Sequence, residues 1–270
     1  MKILLGIVHN NEQERLDYLL NELPKLQNPG FYFQIIDYGI QVEKSINLVS
    51  TLKKTFSVLD YTIRWAKYTK QSIFKKLKGE VRTQMSFMLG GKAGRKKLRK
   101  INIICDAVSR KHFGLMEDFL EGDAEYLIVL ESDALLPDPV KMNQSLALLT
   151  LSQSSDFPLW VSFVQPNPKS QGEIKGFLDS ASGLITQEKP WSNTACAYMV
   201  NRKLASLFIN KHSNRINSKY PALPIDWLLN STFLHLTKAE LESGRYFEFD
   251  TGPVIHGSIQ TSSSWTQGLI

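Results

Sequence analysis

The sequence has little cysteine and no long hydrophobic run. Its two cysteines, Cys105 and Cys196, both lie in apolar segments. Such cysteines are typical of buried thiols in a reducing compartment, with a disulfide as the less favoured alternative. No apolar run approaches the roughly 20 residues that cross a membrane. The run Ile3–Val8 is also too short for a secretory signal, so we expect a cytoplasmic protein.

The segment from Arg64 to Lys100 has almost no acidic residues. It contains thirteen lysines and arginines and the single acid Glu80, so its net charge is +12. The whole chain carries +6, which leaves −6 for the remaining residues. Aromatic and aliphatic residues are interleaved with these charges. This composition suits peripheral contact of residues 64–100 with an anionic membrane and, equally, a solvated helical insert; nucleic-acid binding is less favoured.

The length and composition fit one globular domain. The chain has 270 residues, of which 43% are hydrophobic and 21% are charged, as in proteins with a sizeable core. This length accommodates an α/β domain with an insertion. We therefore predict a single domain over residues 1–270, with a basic, mainly helical insert at residues 42–100.

Patterns typical of strands and helices alternate along the chain. Strands are predicted at residues 3–8, 31–37, 126–130, 159–164, 195–200, 246–249 and 254–255. Helices are predicted at residues 11–26, 106–120, 140–153, 202–211 and 224–234. Residues 101–105 fit either a short strand or the entry to a helix, and a loop is predicted from residue 165 to about residue 190. The alternation predicts a mostly parallel sheet with helices on both faces.

Two carboxylates follow the most apolar strand of this pattern. The run Tyr126–Leu130 ends in Glu131, Ser132 and Asp133. Residues spaced by two point to the same side of a strand, so the two acids would repel each other without a cation between them. Oxygen ligands at such a position suit a hard divalent ion that also takes phosphate oxygens. The alternative is that Asp133 caps the following turn.

Polar residues also follow the first two predicted strands. His9 and Asn10 follow the first strand, and Asp37 ends the second. In open α/β sheets the ligand site lies outside the carboxyl ends of the strands, which places these residues near Glu131 and Asp133. His9 and Asn10 could equally cap the following helix, and Asp37 could equally form a turn.

Several motifs resemble those of glycosyltransferases with the GT-A fold. The stretch Tyr126–Ala134 resembles the strand and acid-x-acid motif of that group. The helix Asp106–Leu115, followed by Gly122–Tyr126, is similar to segments of the family 2 enzymes. Three later pieces resemble family 25, the lipooligosaccharide galactosyltransferase group: Thr194–Lys203, Leu223–Leu228, and Gly252–His256 with Ser262–Ser264. Family 25 more often has Glu-Asp-Asp where this chain has Glu131, Ser132 and Asp133.

The resemblance implies a GT-A-like, Rossmann-like fold and a nucleotide-sugar donor site. Asp133 would coordinate Mn²⁺ or Mg²⁺ on the donor diphosphate, and Glu131 would face the ribose or hold metal-bound water. Asp37 would contact the base or ribose, and Arg110 the base or diphosphate. His9 and Asn10 would border the nucleotide. The alternative for Arg110 is a solvent-facing position on its helix.

Two residues near the C-terminus complete the site that the resemblance implies. Asp226 opens a helix after Pro224, and the resemblance makes it the base that deprotonates the acceptor hydroxyl in an inverting transfer. His256 would be a second metal ligand, and its imidazole favours manganese over magnesium. Asp226 could instead be a first-turn acid favoured by the helix dipole, and His256 could be structural.

The resemblance therefore predicts transfer of a sugar, from a UDP-sugar, to a glycan or lipid-linked glycan in surface polysaccharide or lipooligosaccharide biosynthesis. One alternative is a nucleotidyltransferase or metal-dependent phosphohydrolase on a related sheet. The absence of glycine from His9-Asn10-Asn11-Glu12 disfavours a nucleotidyltransferase. The other alternative is a non-catalytic protein that binds nucleic acid or a partner through its basic insert.

Overall fold

The computed structural model describes residues 2–9, 13–26, 32–37, 48–68, 72, 89–150, 156–164, 176–192, 194–216 and 223–257. Of the predicted site, Asn10 lies outside these residues, as do parts of the predicted basic insert. Asp37 is described by its backbone alone.

The described helices follow one another along the chain with the strands between them. They are α1 (Gln13–Glu22), α2 (Leu48–Tyr68), α3 (Gly91–Glu121), α4 (Pro139–Thr150), α5 (Arg202–Ile216), α6 (Ile225–Phe233) and α7 (Lys238–Ser243). A short 3-10 helix, Leu23–Lys25, follows α1. None of the helices in the described ranges combines the length and the apolar composition that a membrane crossing needs.

Ten strands lie in the described part of the chain. They are β1 (Lys2–Val8), β2 (Tyr32–Asp37), β3 (Tyr126–Glu131), β4 (Ala134–Leu135), β5 (Leu159–Ser162), β6 (Gly176–Asp179), β7 (Leu184–Gln187), β8 (Ala197–Asn201), β9 (Arg245–Phe249) and β10 (Ile255–His256). Eight of them form one sheet in the order β2-β1-β3-β8-β5-β9-β7-β6, and β4 pairs with β10.

The large sheet is mixed. Strand β1 is parallel to β2 and β3, and β5 is parallel to β9. Strand β8 is antiparallel to β3 and β5, while β7 is antiparallel to β9 and β6. Six of the eight strands therefore run in one direction, and β7 and β8 run against them. The N-terminal end of β8 consequently meets the C-terminal ends of β1 and β3 at one edge.

Apolar side chains cover both faces of the sheet. On one face, residues of β1 and β3 pack with α3, α5 and α6 through side chains that include Phe113, Phe208 and Leu228. On the other face, alternate residues of the same strands pack with α1 and α4, for example at Leu19 and Met142. Strands that are buried on both faces need near-continuous apolar sequence, which explains the runs in β1 and β3.

The structure confirms the α/β architecture, corrects two local predictions and adds one helix. Residues 101–105 belong to neither a short strand nor a helix entry, because α3 runs without interruption from Gly91 to Glu121. The predicted loop before residue 190 contains the antiparallel hairpin β6–β7, whose turn includes Gly183 at a positive φ of 67°. Helix α7 was not predicted; Thr237 is its N-cap and forms a capping box with Glu240.

Part of the predicted basic insert packs against the body of the protein. Helix α2 buries Tyr61 and Trp65 against Trp191, and Trp227 of α6 joins this cluster. The rings of Tyr61 and Trp227 are stacked with centroids 4.8 Å apart. Both cysteines are free thiols, with Cys105 half-buried on α3 and Cys196 fully buried before β8.

Candidate functional site

The candidate site lies where β1, β3 and β8 meet. The amide of Glu131 donates a hydrogen bond of 2.7 Å to the carbonyl of Cys196, and the amide of Ser132 donates one of 2.8 Å to the carbonyl of Val8. These bonds hold the end of β3 between the end of β1 and the start of β8. His9, which follows β1, is buried at the same edge.

Asp133, Cys196 and His256 form a group that could hold a metal ion. Their ligand atoms all lie within 4.8 Å of one another, and all three residues are buried. His256 reaches Asp133 because it is paired with Ala134 in the β4–β10 ladder. Its Nδ1 atom lies 3.4 Å from Oδ2 of Asp133, and the Gly257 amide donates a 2.8 Å hydrogen bond to the Asp133 carbonyl.

The donor set of this group fits a divalent ion. Metal–ligand bonds of about 2.0–2.3 Å allow ligand atoms to lie up to about 4.6 Å apart. The distances of 3.4 Å from His256 to Asp133 and 3.6 Å from Cys196 to Asp133 lie within this limit. The Sγ atom of Cys196 lies 3.6 Å from Oδ1 of Asp133 and donates to it. Burial, together with the charges of Asp133 and Glu131, raises the pKa of the Cys196 thiol. Carboxylate and imidazole are therefore the ligands most readily available at neutral pH.

Glu131 belongs to a buried hydrogen-bonded chain on the α3 face of the sheet. His112 of α3 places Nε2 at 3.0 Å from Oε1 of Glu131 and Nδ1 at 2.9 Å from the hydroxyl of Tyr198. His112 and Tyr198 are fully buried, and their rings are stacked with centroids 5.8 Å apart. A neutral imidazole satisfies both bonds if it donates from Nε2 and accepts at Nδ1. The imidazole then fixes the orientation of the Glu131 carboxylate.

Asp226 lies in the first turn of α6, within electrostatic range of Glu131. Its Oδ1 atom accepts a 3.1 Å hydrogen bond from the hydroxyl of Ser192. Burial, and then the negative charge of Glu131, raises the pKa of Asp226 to about 7, although bonds from Ser192 and the Ala195 amide oppose the shift. The carboxyl group therefore exchanges a proton near neutral pH. The side-chain oxygen of Asn230 also holds Ser192 in place, because it accepts a 2.7 Å hydrogen bond from the Ser192 backbone amide.

A second half-buried carboxylate, Glu248, lies near the end of β9. Burial raises the pKa of Glu248 to about 7, and side-chain hydrogen bonds from Gln187 and Trp191 partly oppose the shift. Trp191 directly precedes Ser192, so consecutive residues of one loop serve the Glu248 and Asp226 carboxylates. The loop thereby links β9 to the first turn of α6.

Arg110 and Asp37, which were predicted to contact the nucleotide of a sugar donor, occupy different surroundings in the structure. Arg110 is not solvent-facing: its Nε atom lies 2.9 Å from Oδ2 of Asp106, and its side chain is 11% exposed. The ammonium group of Lys111 donates to the carbonyl of His9, which ties α3 to the end of β1. Asp37 ends β2 opposite Ile7, at the same edge of the sheet as His9.

The structure thus brings His9, Glu131, Asp133 and His256 to one edge and places Asp226 within electrostatic range of Glu131. Sequence reasoning missed the site positions of His112, Cys196, Tyr198 and Glu248. One of these had a signal: His112 shares a helix face with Leu115, Met116 and Phe119, all fully buried or nearly so. A histidine on the core face of a helix needs buried hydrogen-bond partners. Cys196 was interpreted only as a buried thiol.

Comparison with known proteins found no family model that matches the chain and no match among the curated proteins. The geometry of the site is consequently the basis on which a function is proposed below. The likeness to glycosyltransferases remains an interpretation of the sequence motifs.

Proposed function

We propose that this protein is a metal-dependent glycosyltransferase. It transfers a sugar from a nucleotide-sugar, a UDP-sugar in our proposal, to a hydroxyl group of a glycan or lipid-linked glycan. The observation that carries the proposal is the arrangement of Asp226 beside Glu131 and the Asp133–Cys196–His256 group. A carboxyl group that titrates near neutrality and a buried set of metal-ligating atoms occur together at the ligand-binding edge of an α/β sheet.

Asp133 and His256 are the residues proposed to hold Mn²⁺ or Mg²⁺. When bound, such an ion would supply positive charge to the leaving diphosphate of the donor. Cys196, as a protonated thiol, would donate to Asp133 and orient its carboxylate. Glu131, oriented by His112, would present its free oxygen to the donor ribose.

Asp226 is proposed to accept the proton of the acceptor hydroxyl. A general base works best when its pKa lies near the operating pH, which agrees with a value of about 7 for Asp226. The Ser192 hydroxyl holds the carboxylate in place for this step. Attack by the deprotonated hydroxyl on the face opposite the leaving group would invert the anomeric centre.

The exposed start of α3 supports the proposed contact with an anionic membrane surface. Lys92, Lys96 and Lys100 recur at four-residue spacing and are exposed, and the exposed Ile103 and Ile104 extend the same face. Basic and apolar side chains on one helical face suit the headgroup region of a bilayer. This contact would hold a cytoplasmic enzyme near a lipid-linked acceptor. Replacing the three lysines by glutamate should reduce binding to anionic liposomes, and added salt should reduce wild-type binding.

The proposal is tested by thermal unfolding in the presence of nucleotides and metal ions. We expect UDP with Mn²⁺ to raise the melting temperature. A ligand that binds only the folded state stabilises it by about 2.7 kcal/mol when the ligand concentration is 100 times Kd. Asp133→Asn should abolish this rise. Asp138→Asn is the matched control, because Asp138 is exposed between β4 and α4 and asparagine also caps a helix. Absence of a shift with every nucleotide and metal would contradict the proposal.

A second assay separates transfer from the alternative reactions. Incubation with UDP-sugars and Mn²⁺ should release UDP faster when a glycan acceptor is added, with a new glycosidic bond in the product. Release of phosphate without any acceptor dependence would instead identify a phosphohydrolase.

A further inference from the structure

A polar pocket opens between α2, α5 and the C-terminal end of α6, away from the candidate metal group. Its volume is about 210 Å³. Its lining includes the hydroxyl groups of Ser57 and Ser231, the imidazole of His235, and the charged side chains of Asp60, Arg64 and Lys211. These groups come from three separate chain segments, and the pocket therefore exists only in the folded protein.

Among the described residues that line this pocket, two side chains are cationic and one is anionic. Arg64 and Lys211 supply two full cationic charges, whereas Asp60 supplies one anionic charge. The C-terminal end of α6 adds about half a negative charge from the helix dipole. His212 also lines the pocket, but its Nε2 atom lies 2.9 Å from the Leu228 carbonyl, so this imidazole is engaged within the core.

The pairing of Arg64 with Asp60 leaves the guanidinium available. The Nε atom of Arg64 lies 3.1 Å from the Asp60 carboxylate, while the two side chains are 53% and 62% exposed. An exposed pair of this kind contributes only about 0–1 kcal/mol to stability and is readily exchanged. The Nη1 atom of Arg64 lies 3.5 Å from Nε2 of His235. The guanidinium group therefore lies between Asp60 and the imidazole that lines the pocket.

His235 lies within electrostatic range of both cations. Burial, and then the charges of Lys211 and Arg64, lower the pKa of His235, with Asp60 opposing them. The two cations therefore act on a common point inside the pocket. An anion at this point would be attracted by both cations and could accept hydrogen bonds from the serine hydroxyls and the imidazole.

We propose that this pocket binds a phosphate group, held by Arg64 and Lys211 with Ser57, Ser231 and His235 as hydrogen-bonding neighbours. A phosphate has the charge and the number of acceptor oxygens that this set of donors requires. Two sources share this chemistry: a phosphomonoester on a soluble glycan, and the headgroup phosphate of a lipid.

The pocket has a defined relation to the candidate base. Asp226 lies in the first turn of α6 and His235 just beyond its last turn, so they are about 13 Å apart along the helix at 1.5 Å per residue. Nine residues also make about 2.5 helical turns, so an oligosaccharide that joins the two sites would have to pass around α6. An acceptor anchored by its phosphate in the pocket could in that case present a hydroxyl to Asp226. This part of the inference rests on the proposed transferase function, whereas phosphate binding itself does not.

The test measures binding of inorganic phosphate to the full chain without metal or nucleotide. Isothermal titration calorimetry should show binding by the wild type and a loss of at least about tenfold in affinity in Arg64→Ala/Lys211→Ala. Lys67→Ala and Lys203→Ala, which remove exposed lysines from α2 and α5, are matched controls that should bind as the wild type does. In NMR titrations, saturating phosphate should raise the pKa of His235.

The source of the phosphate is then resolved with two ligands. Wild-type binding of glucose 1-phosphate, lost in the double variant while vesicle binding is unchanged, would support a soluble phosphorylated acceptor. Loss of binding to phosphatidylglycerol vesicles in the double variant alone would support a lipid phosphate. Absence of phosphate binding by the wild type, or equal binding by the double variant, would overturn the inference. Neither of these results affects the UDP and Mn²⁺ test of the donor site.

Discussion

The Nε2 atom of His112 lies 3.0 Å from Oε1 of Glu131, and the opposite nitrogen of the same ring lies 2.9 Å from the Tyr198 hydroxyl. The chain of three groups joins α3 to β3 and β8 across the sheet face. Because His112 and Tyr198 are fully buried, removal of one member leaves polar atoms without water to replace the lost bond.

This relationship predicts unequal costs for two substitutions. Tyr198→Phe removes one hydroxyl and should lower the free energy of unfolding by about 1 kcal/mol. His112→Ala creates a cavity and removes a hydrogen-bond partner from both Glu131 and Tyr198. We therefore expect it to lower the free energy of unfolding by about 2–5 kcal/mol. Urea denaturation measures both. Equal effects of the two variants would show that the imidazole does not bridge its neighbours.

The elevated pKa of Asp226 predicts the pH dependence of transfer. A base acts in its deprotonated form, so the rate should rise with pH and level off above about pH 7. Ser192→Ala removes a hydrogen bond that lowers the pKa, so its profile should shift to higher pH. Asp226→Asn should reduce transfer at least about 100-fold and leave the UDP-induced thermal shift intact. A pH profile unchanged in Ser192→Ala would contradict the role of Asp226.

The pKa of Glu248 predicts a change of stability with pH. Its pKa is raised from 4.5 to about 7 in the folded protein, so the folded state binds more protons than the unfolded state between these values. Stability should therefore fall as pH rises through this window, by at most about 1.4 kcal/mol per pH unit from this group. Glu248→Gln should lose less stability than the wild type between pH 5 and pH 8 in urea denaturation. A parallel loss in both proteins would show that Glu248 is not desolvated.

The raised pKa of the Cys196 thiol predicts that its sulfur is not a ligand for Mn²⁺ or Mg²⁺ at neutral pH. Hard ions prefer oxygen and imidazole ligands, so Cys196→Ser should keep the Mn²⁺-dependent stabilisation by UDP, whereas His256→Ala should weaken it. Titration with Co²⁺ provides the contrast, because a thiolate ligand produces a charge-transfer absorption band. A strong band in the wild type, lost in Cys196→Ser together with the Mn²⁺ response, would identify a sulfur-ligated site instead.

Close packing between Gly6 of β1 and Leu115 of α3 predicts that a larger residue at position 6 displaces the helix. A Cβ atom placed on Gly6 would lie 2.3 Å from Cδ2 of Leu115, three residues after His112 on the same helix. Gly6→Ala should therefore cost about 1–3 kcal/mol and displace the imidazole from Glu131. Gly122→Ala is the control: its Cβ would come no closer than 3.5 Å to the neighbouring atoms, at the end of the same helix. Similar melting temperatures for both variants would contradict the proposed packing.

The local features of this protein could be predicted from its sequence. Apolar runs predicted β1 and β3, helical periodicity predicted α5 and α6, and the position of Glu131 and Asp133 after a strand indicated a ligand site. These features follow from contacts between residues close in the chain, which periodicity and turn chemistry report directly. The hairpin β6–β7 was missed because its short strands lie in a segment rich in turn-forming residues.

Contacts between residues that are distant in the chain depend on the tertiary structure. Cys196 reaches Asp133 because β8 runs antiparallel to β3, and His256 reaches it through the β4–β10 pairing. The pKa of Asp226 depends on burial and on a charge 95 positions earlier in the chain, at Glu131. Strand order and desolvation arise from the packing of the whole sheet against its helices, so no local pattern in the sequence encodes them separately.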